Sequence, residues 1–131
     1  MNIRRKILPI IKRDFLDIAQ KIETLLHGAF DAISPGVKAC DVHAAVSACI
    51  DATKFKNRFI HSTGHSLGLA VHDGVGFAPG NTMELQENMV LTVEAGVYLP
   101  GYGGVRIEDD ILIKKEKLIL LSRSPKEFTE L

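Results

Sequence analysis

Three histidines, His61, His65 and His72, share the stretch Phe59 to His72, which reads Phe-Ile-His-Ser-Thr-Gly-His-Ser-Leu-Gly-Leu-Ala-Val-His. Two carboxylates follow in apolar runs: Glu94 in Leu91-Thr-Val-Glu-Ala-Gly96 and Glu108 in Gly104-Val-Arg-Ile-Glu-Asp-Asp110. Imidazole and carboxylate both offer lone pairs. Together they suit divalent metals and metal-assisted hydrolysis, in which a water keeps an open coordination position. Gly64 and Gly68 let the backbone approach a ligand closely, and His65 between them is the ligand candidate of the three. The residues between His61 and His65 are Ser-Thr-Gly, with no glutamate, so this is not the HExxH zinc helix. Gly64 to Gly68 also spells G-x-S-x-G, which would make Ser66 a nucleophile. That elbow needs a long parallel sheet and a histidine far downstream, whereas the last histidine is His72; Ser66 reads better as a turn residue.

These side chains need elements to hold them. Apolar residues at Ile11, Phe15, Ile18, Ile22, Leu25, Ala29 and Ile33 recur every three or four positions and predict an amphipathic helix from Ile10 to Ile33. Arg13, Asp17, Gln20, Lys21, Glu23 and Thr24 form its polar side, and Ser34-Pro35-Gly36 stops it. A second helix is expected from about Asp41 to Phe55, with Val42, Ala45, Val46, Cys49 and Ile50 buried. Residues 89–99 and 104–113 read as strands joined by a turn around Pro100-Gly101-Tyr102-Gly103, with one more strand at Leu118 to Leu121. Helices followed by strands, without alternation, give an α+β fold: two helices packed on a largely antiparallel sheet. Because strand residues alternate between faces, Glu94 and Glu108 can point from neighbouring strands toward one pocket while aliphatics pack on the other face.

The 131 residues suit one domain, 1–131. A formal net charge of zero leaves no broad field for nucleic acid. The basic cluster Arg4, Arg5, Lys6, Lys12 and Arg13 flanks an apolar run, Ile7 to Ile11, that Pro9 interrupts and that is too short to span a membrane. Without a leader pattern the expected location is the cytoplasm. Cys40 and Cys49 point to different helix faces, make no zinc pair and read as reduced, partly buried thiols.

Four segments together, in this order, strongly resemble the carboxy-terminal part of the catalytic domain of the Xaa-Pro dipeptidase and aminopeptidase P family, the pita-bread metallopeptidases related to methionine aminopeptidase. They are Ile33-Ser-Pro-Gly-Val37, His61 to His72, Leu91 to Gly96 and Gly104 to Asp110. The likeness runs from about Asp14 to the end. It implies a partial pita-bread fold and a peptidase acting on Xaa-Pro bonds with a pair of divalent metals, manganese, cobalt or zinc. It further implies that His65, Glu94 and Glu108 are ligands, Glu108 bridging both ions. By the same resemblance His72 sits beside the peptide substrate, His61 lines the pocket and Arg106 orients substrate or ligand. The family's two aspartate ligands, carried on a strand pair before the long helix, have no counterpart here. The expectation is a truncated or split product, completed by a homodimer or a complementing half-domain. The other reading is an inactive homologue that binds a peptide or a protein.

Overall fold

The computed structural model describes residues 4–74 and 76–125, except for the side chains of residues 4–12 and 14. The elements are α1 (Arg4–Asp31), α2 (Ala39–Asp51), β1 (Val90–Leu99), β2 (Gly103–Ile113) and β3 (Leu118–Leu120). The strands form one antiparallel sheet in the order β1-β2-β3. The α+β architecture read from the sequence is therefore the one observed.

Helix α1 starts at Arg4, six residues before the expected Ile10. Pro9 lies inside it and forfeits the main-chain bond that would reach Arg5. At the other end Ala32 and Ile33 bond back to Ala29 and Phe30, and Gly36 takes φ +89°, a left-handed conformation that L side chains rarely adopt. Among the described side chains of α1, Ile18, Ile22, Leu26 and Ala29 are buried. Each large aliphatic side chain taken out of water in this way is worth about 1.5–3 kcal/mol. On the solvent side Lys21 and Lys54 both reach Asp17 Oδ2, at 2.9 and 3.0 Å. Hydrogen bonds from Lys21 and then Lys54 hold that carboxyl below its ordinary value.

Helix α2 has no side-chain cap at Lys38. Its first turn is held by main chain instead: Ala39 N donates to Met83 O at 2.9 Å and Cys40 N to Asn81 O at 2.8 Å. The buried residues of α2 are Ala39, Val42, Val46 and Ile50, a single row. Ala45 and Cys49, expected in that row, are exposed, because only one side of this short helix is covered. Cys49 is thus a surface thiol, while Cys40 is half-buried. The helix also ends at Asp51, short of Phe55. There Thr53 Oγ1 donates to Ile50 O at 2.7 Å and Asp51 Oδ1 accepts from Asn57 N at 2.8 Å, which turns the chain and seats Phe55 in the core.

Strand β1 is buried from Leu91 to Val97. Leu91, Val93, Ala95 and Val97 join the helical residues in the core, together with Ile111 and Ile113 of β2 and the fully buried Phe77. Thr92 and Glu94 alternate with them and so face the other side. One edge of β1 pairs with β2; the other is met by the irregular segment 58–66, through Tyr98 N to Arg58 O, Glu94 N to Thr63 O and Thr92 N to His65 O. That second contact brings the histidine segment against Glu94. Among the described residues no helix is long and apolar enough to cross a membrane.

Candidate metal centre

In the β1–β2 register Glu94 stands opposite Glu108, Gly96 opposite Arg106 and Tyr98 opposite Gly104. This row of pairs lies on the sheet face turned away from the helices. His65 Nε2 reaches across to Glu94 Oε1 at 3.2 Å. Donor atoms of His65, Glu94 and Glu108 all lie within 4.8 Å of one another. A metal with bonds of about 2.0–2.2 Å holds its donors at most about 4.4 Å apart, so small side-chain shifts would close this set on a cation. Nitrogen and carboxylate donors without thiolate suit a divalent cation.

The hydrogen bonds around these donors aim them. His65 Nδ1 lies 3.1 Å from the Ser66 carbonyl, which can only accept, so Nδ1 carries the proton. In the neutral ring Nε2 is then a lone pair directed at a carboxylate, and two acceptors at that distance need a cation or a proton between them. Thr92 fixes both partners: its hydroxyl donates to Glu94 Oε1 at 2.8 Å and accepts from the His65 main-chain N–H at 3.0 Å. Arg106 spans the acids, 3.6 Å from Glu94 Oε2 and 3.4 Å from Glu108 Oε2. A Thr92→Val chain should lose both bonds to its hydroxyl. We expect manganese affinity to fall about 10- to 100-fold and stability by about 1–3 kcal/mol, measured by metal titration and urea unfolding. Unchanged affinity would show that the Thr92 hydroxyl does not aim Glu94.

The remaining candidates flank this cluster. His61 is half-buried; Nδ1 donates to Ser62 O at 2.7 Å and Nε2 accepts from the Tyr98 hydroxyl at 2.9 Å. Glycine at 96 makes room for that pair, since a Cβ there would lie 2.9 Å from both His61 Nε2 and the Tyr98 hydroxyl. His72 is exposed, with its ring 4.2 Å from that of His65. Its loop is tied by Asp73, whose Oδ2 accepts from Leu69 N at 2.9 Å and whose carbonyl accepts from the Ser66 hydroxyl. Ser66 is accordingly a turn residue, as expected, and its hydroxyl is committed to that carbonyl. Thr92 and Tyr98 were missed, although both share the parity of Glu94 along the strand and the alternation rule would have found them. Asp73 and His43, which hold the segment from outside, leave no local sequence signal.

This architecture is that of part of the pita-bread metallopeptidase fold. The chain belongs to metallopeptidase family M24, whose pattern it matches over residues 10–115. It is 33% identical over 111 residues to the Xaa-Pro dipeptidase of Lactobacillus delbrueckii subsp. lactis, covering 85% of this chain and 30% of that protein. Its structure superposes on the X-Pro aminopeptidase of Thermotoga maritima with a TM-score of 0.83 at 30% identity, covering 87% of this chain and 32% of the other. For the prolidase of Pyrococcus furiosus the TM-score is 0.79 at 32% identity, covering 83% and 32%. The chain therefore spans about a third of the length of the proteins it matches.

Proposed function

We propose that this chain, folded as one domain in the cytoplasm, forms the metal-binding part of a peptidase that cleaves Xaa-Pro bonds. The observation that carries this reading is the convergence of His65, Glu94 and Glu108 within 4.8 Å, with Nε2 of His65 3.2 Å from Glu94 Oε1. These three would hold a divalent ion, manganese, cobalt or zinc, with Glu108 placed to bridge a second. The ion would supply a polarised carbonyl and a water made acidic enough to attack at neutral pH. His72, on its tied loop beside His65, hydrogen-bonds the carbonyl oxygen as it gains charge. His61 and Tyr98 form the wall over Gly96, and Arg106 balances the two acids and orients the substrate.

Three donors suffice for one ion and leave a second short of partners, so completing the pair takes donors from beyond these residues. A second copy or a complementing half-domain would supply them, and exposed Ile60, Leu69 and Val71 near the histidines give it apolar surface to cover. The same shortage favours one other reading, a module that binds peptide or protein without turnover.

The deciding experiment loads the purified chain with manganese and measures metal stoichiometry, sedimentation and hydrolysis of a Xaa-Pro dipeptide. Two ions per site with turnover, in a dimer, is the expected result. One ion or none in a monomer, without turnover, would leave the binding module standing and sink the peptidase reading for this chain alone.

A further inference from the structure

His43 lies on α2, outside the segments that carry the donors, and its surroundings tie it to the centre. We propose that His43 is a positioning residue for the metal centre, holding the segment Phe59–His65 against β1 so that His65 and Glu94 keep their geometry. The proposal rests on the reading that those two residues hold a metal.

His43 Nδ1 is 3.0 Å from Thr63 Oγ1. Thr63 is fully buried, and its main chain is engaged on both sides: N–H to Phe77 O at 2.8 Å, carbonyl to Glu94 N–H at 2.6 Å. The Thr63 carbonyl thus sets the height of Glu94 on its strand, and the residue stands two positions before His65. The Thr63 side chain is the lever through which α2 can act on both. His43 makes a second contact with the same segment. Its ring lies 5.6 Å from that of Phe59, which meets His61 edge-on at 4.8 Å, and His61 in turn bonds Tyr98 of β1. Four rings in series therefore run from α2 to β1, while the His43–Thr63 bond runs in parallel to Glu94. Burial, with a smaller push from nearby His61, holds His43 below its ordinary value. The neutral ring this favours can share one proton with a hydroxyl, as the bond to Thr63 requires.

The test uses the whole chain with manganese alone as probe. His43→Leu is expected to weaken manganese binding about tenfold, the lower end of what a residue acting behind the ligands supplies. It should also speed hydrogen exchange at the Glu94 amide. His43→Asn places an amide near Nδ1 and should restore most of both, which recovery of core packing alone would not do. Thr63→Val removes the same bond from the other side, so it should match His43→Leu, and the double variant should be no worse than either. Cys49→Ser, on the exposed side of α2, should change neither readout. His43→Leu and Thr63→Val chains that keep the manganese affinity and the Glu94 exchange of the unmodified chain would overturn the proposal. If the unmodified chain holds no manganese, the metal reading is what fails. Glu94 exchange then decides His43 by itself: faster in His43→Leu and slowed again in His43→Asn supports the positioning role, and no change overturns it.

Discussion

A Glu94→Gln chain is expected to bind manganese more than about a hundredfold more weakly while keeping its fold, a larger loss than any residue behind the ligands should cause. Glu94 is 8% exposed, and its charge is supported by the Thr92 hydroxyl and Arg106. Burying a carboxylate among apolar neighbours costs several kcal/mol before such partners offset it, so neutralising it should leave apo stability nearly unchanged or slightly higher. The glutamine oxygen can still accept from Thr92, but its NH2 turns donor hydrogens toward Arg106 or His65 and brings no negative charge to a cation. Thermal melts with and without manganese separate these effects. Metal at about a hundred times its dissociation constant should stabilise the unmodified chain by about 2.7 kcal/mol and the variant hardly at all. Equal stabilisation of both chains would mean that the ion sits elsewhere, and the centre at His65, Glu94 and Glu108 would have to be abandoned.

The sequence could disclose this centre because strand alternation is a strict rule. Given two strand-like runs and a short turn between them, Glu94 and Glu108 could share a face, and the register pairs them directly. The histidine segment was legible only as a cluster of residue types. Its placement depends on irregular main-chain bonds, Thr63 O to Glu94 N and His65 O to Thr92 N, which no periodicity announces. Helical periodicity likewise gave Ile18, Ile22 and Ala29 of the buried row of α1 but named the half-buried Leu25 in place of Leu26, and it overstated the row of α2, where Ala45 and Cys49 satisfy the spacing but are exposed. Pro9 interrupts the apolar run Ile7 to Ile11 in the sequence, yet α1 runs through it from Arg4.

Gly64→Ala should be among the most damaging single substitutions in the chain. A Cβ on Gly64 would fall inside the Thr92 carbonyl, and the obstruction is backbone, with no side chain that could swing aside. The residue is buried, its own carbonyl accepts from Phe77 N at 2.8 Å, and its neighbour His65 accepts from Thr92 N at 2.7 Å. Relief therefore requires the segment 63–66 to lift from β1, breaking the bonds that hold Glu94 and turning His65 away from it. Losses beyond about 4 kcal/mol belong to substitutions of this kind, and we expect one here, measured by urea unfolding, with manganese binding abolished alongside. Gly80→Ala is the control. Gly80 has φ +76° with nothing within 4 Å of a Cβ, so it should cost only the strain of a left-handed backbone, about 1–2 kcal/mol, and leave metal binding intact. If Gly64→Ala proved as stable as Gly80→Ala and still bound manganese, segment 63–66 could not lie against β1 as closely as described. The approach of His65 to Glu94, on which the candidate centre depends, would then be lost with it.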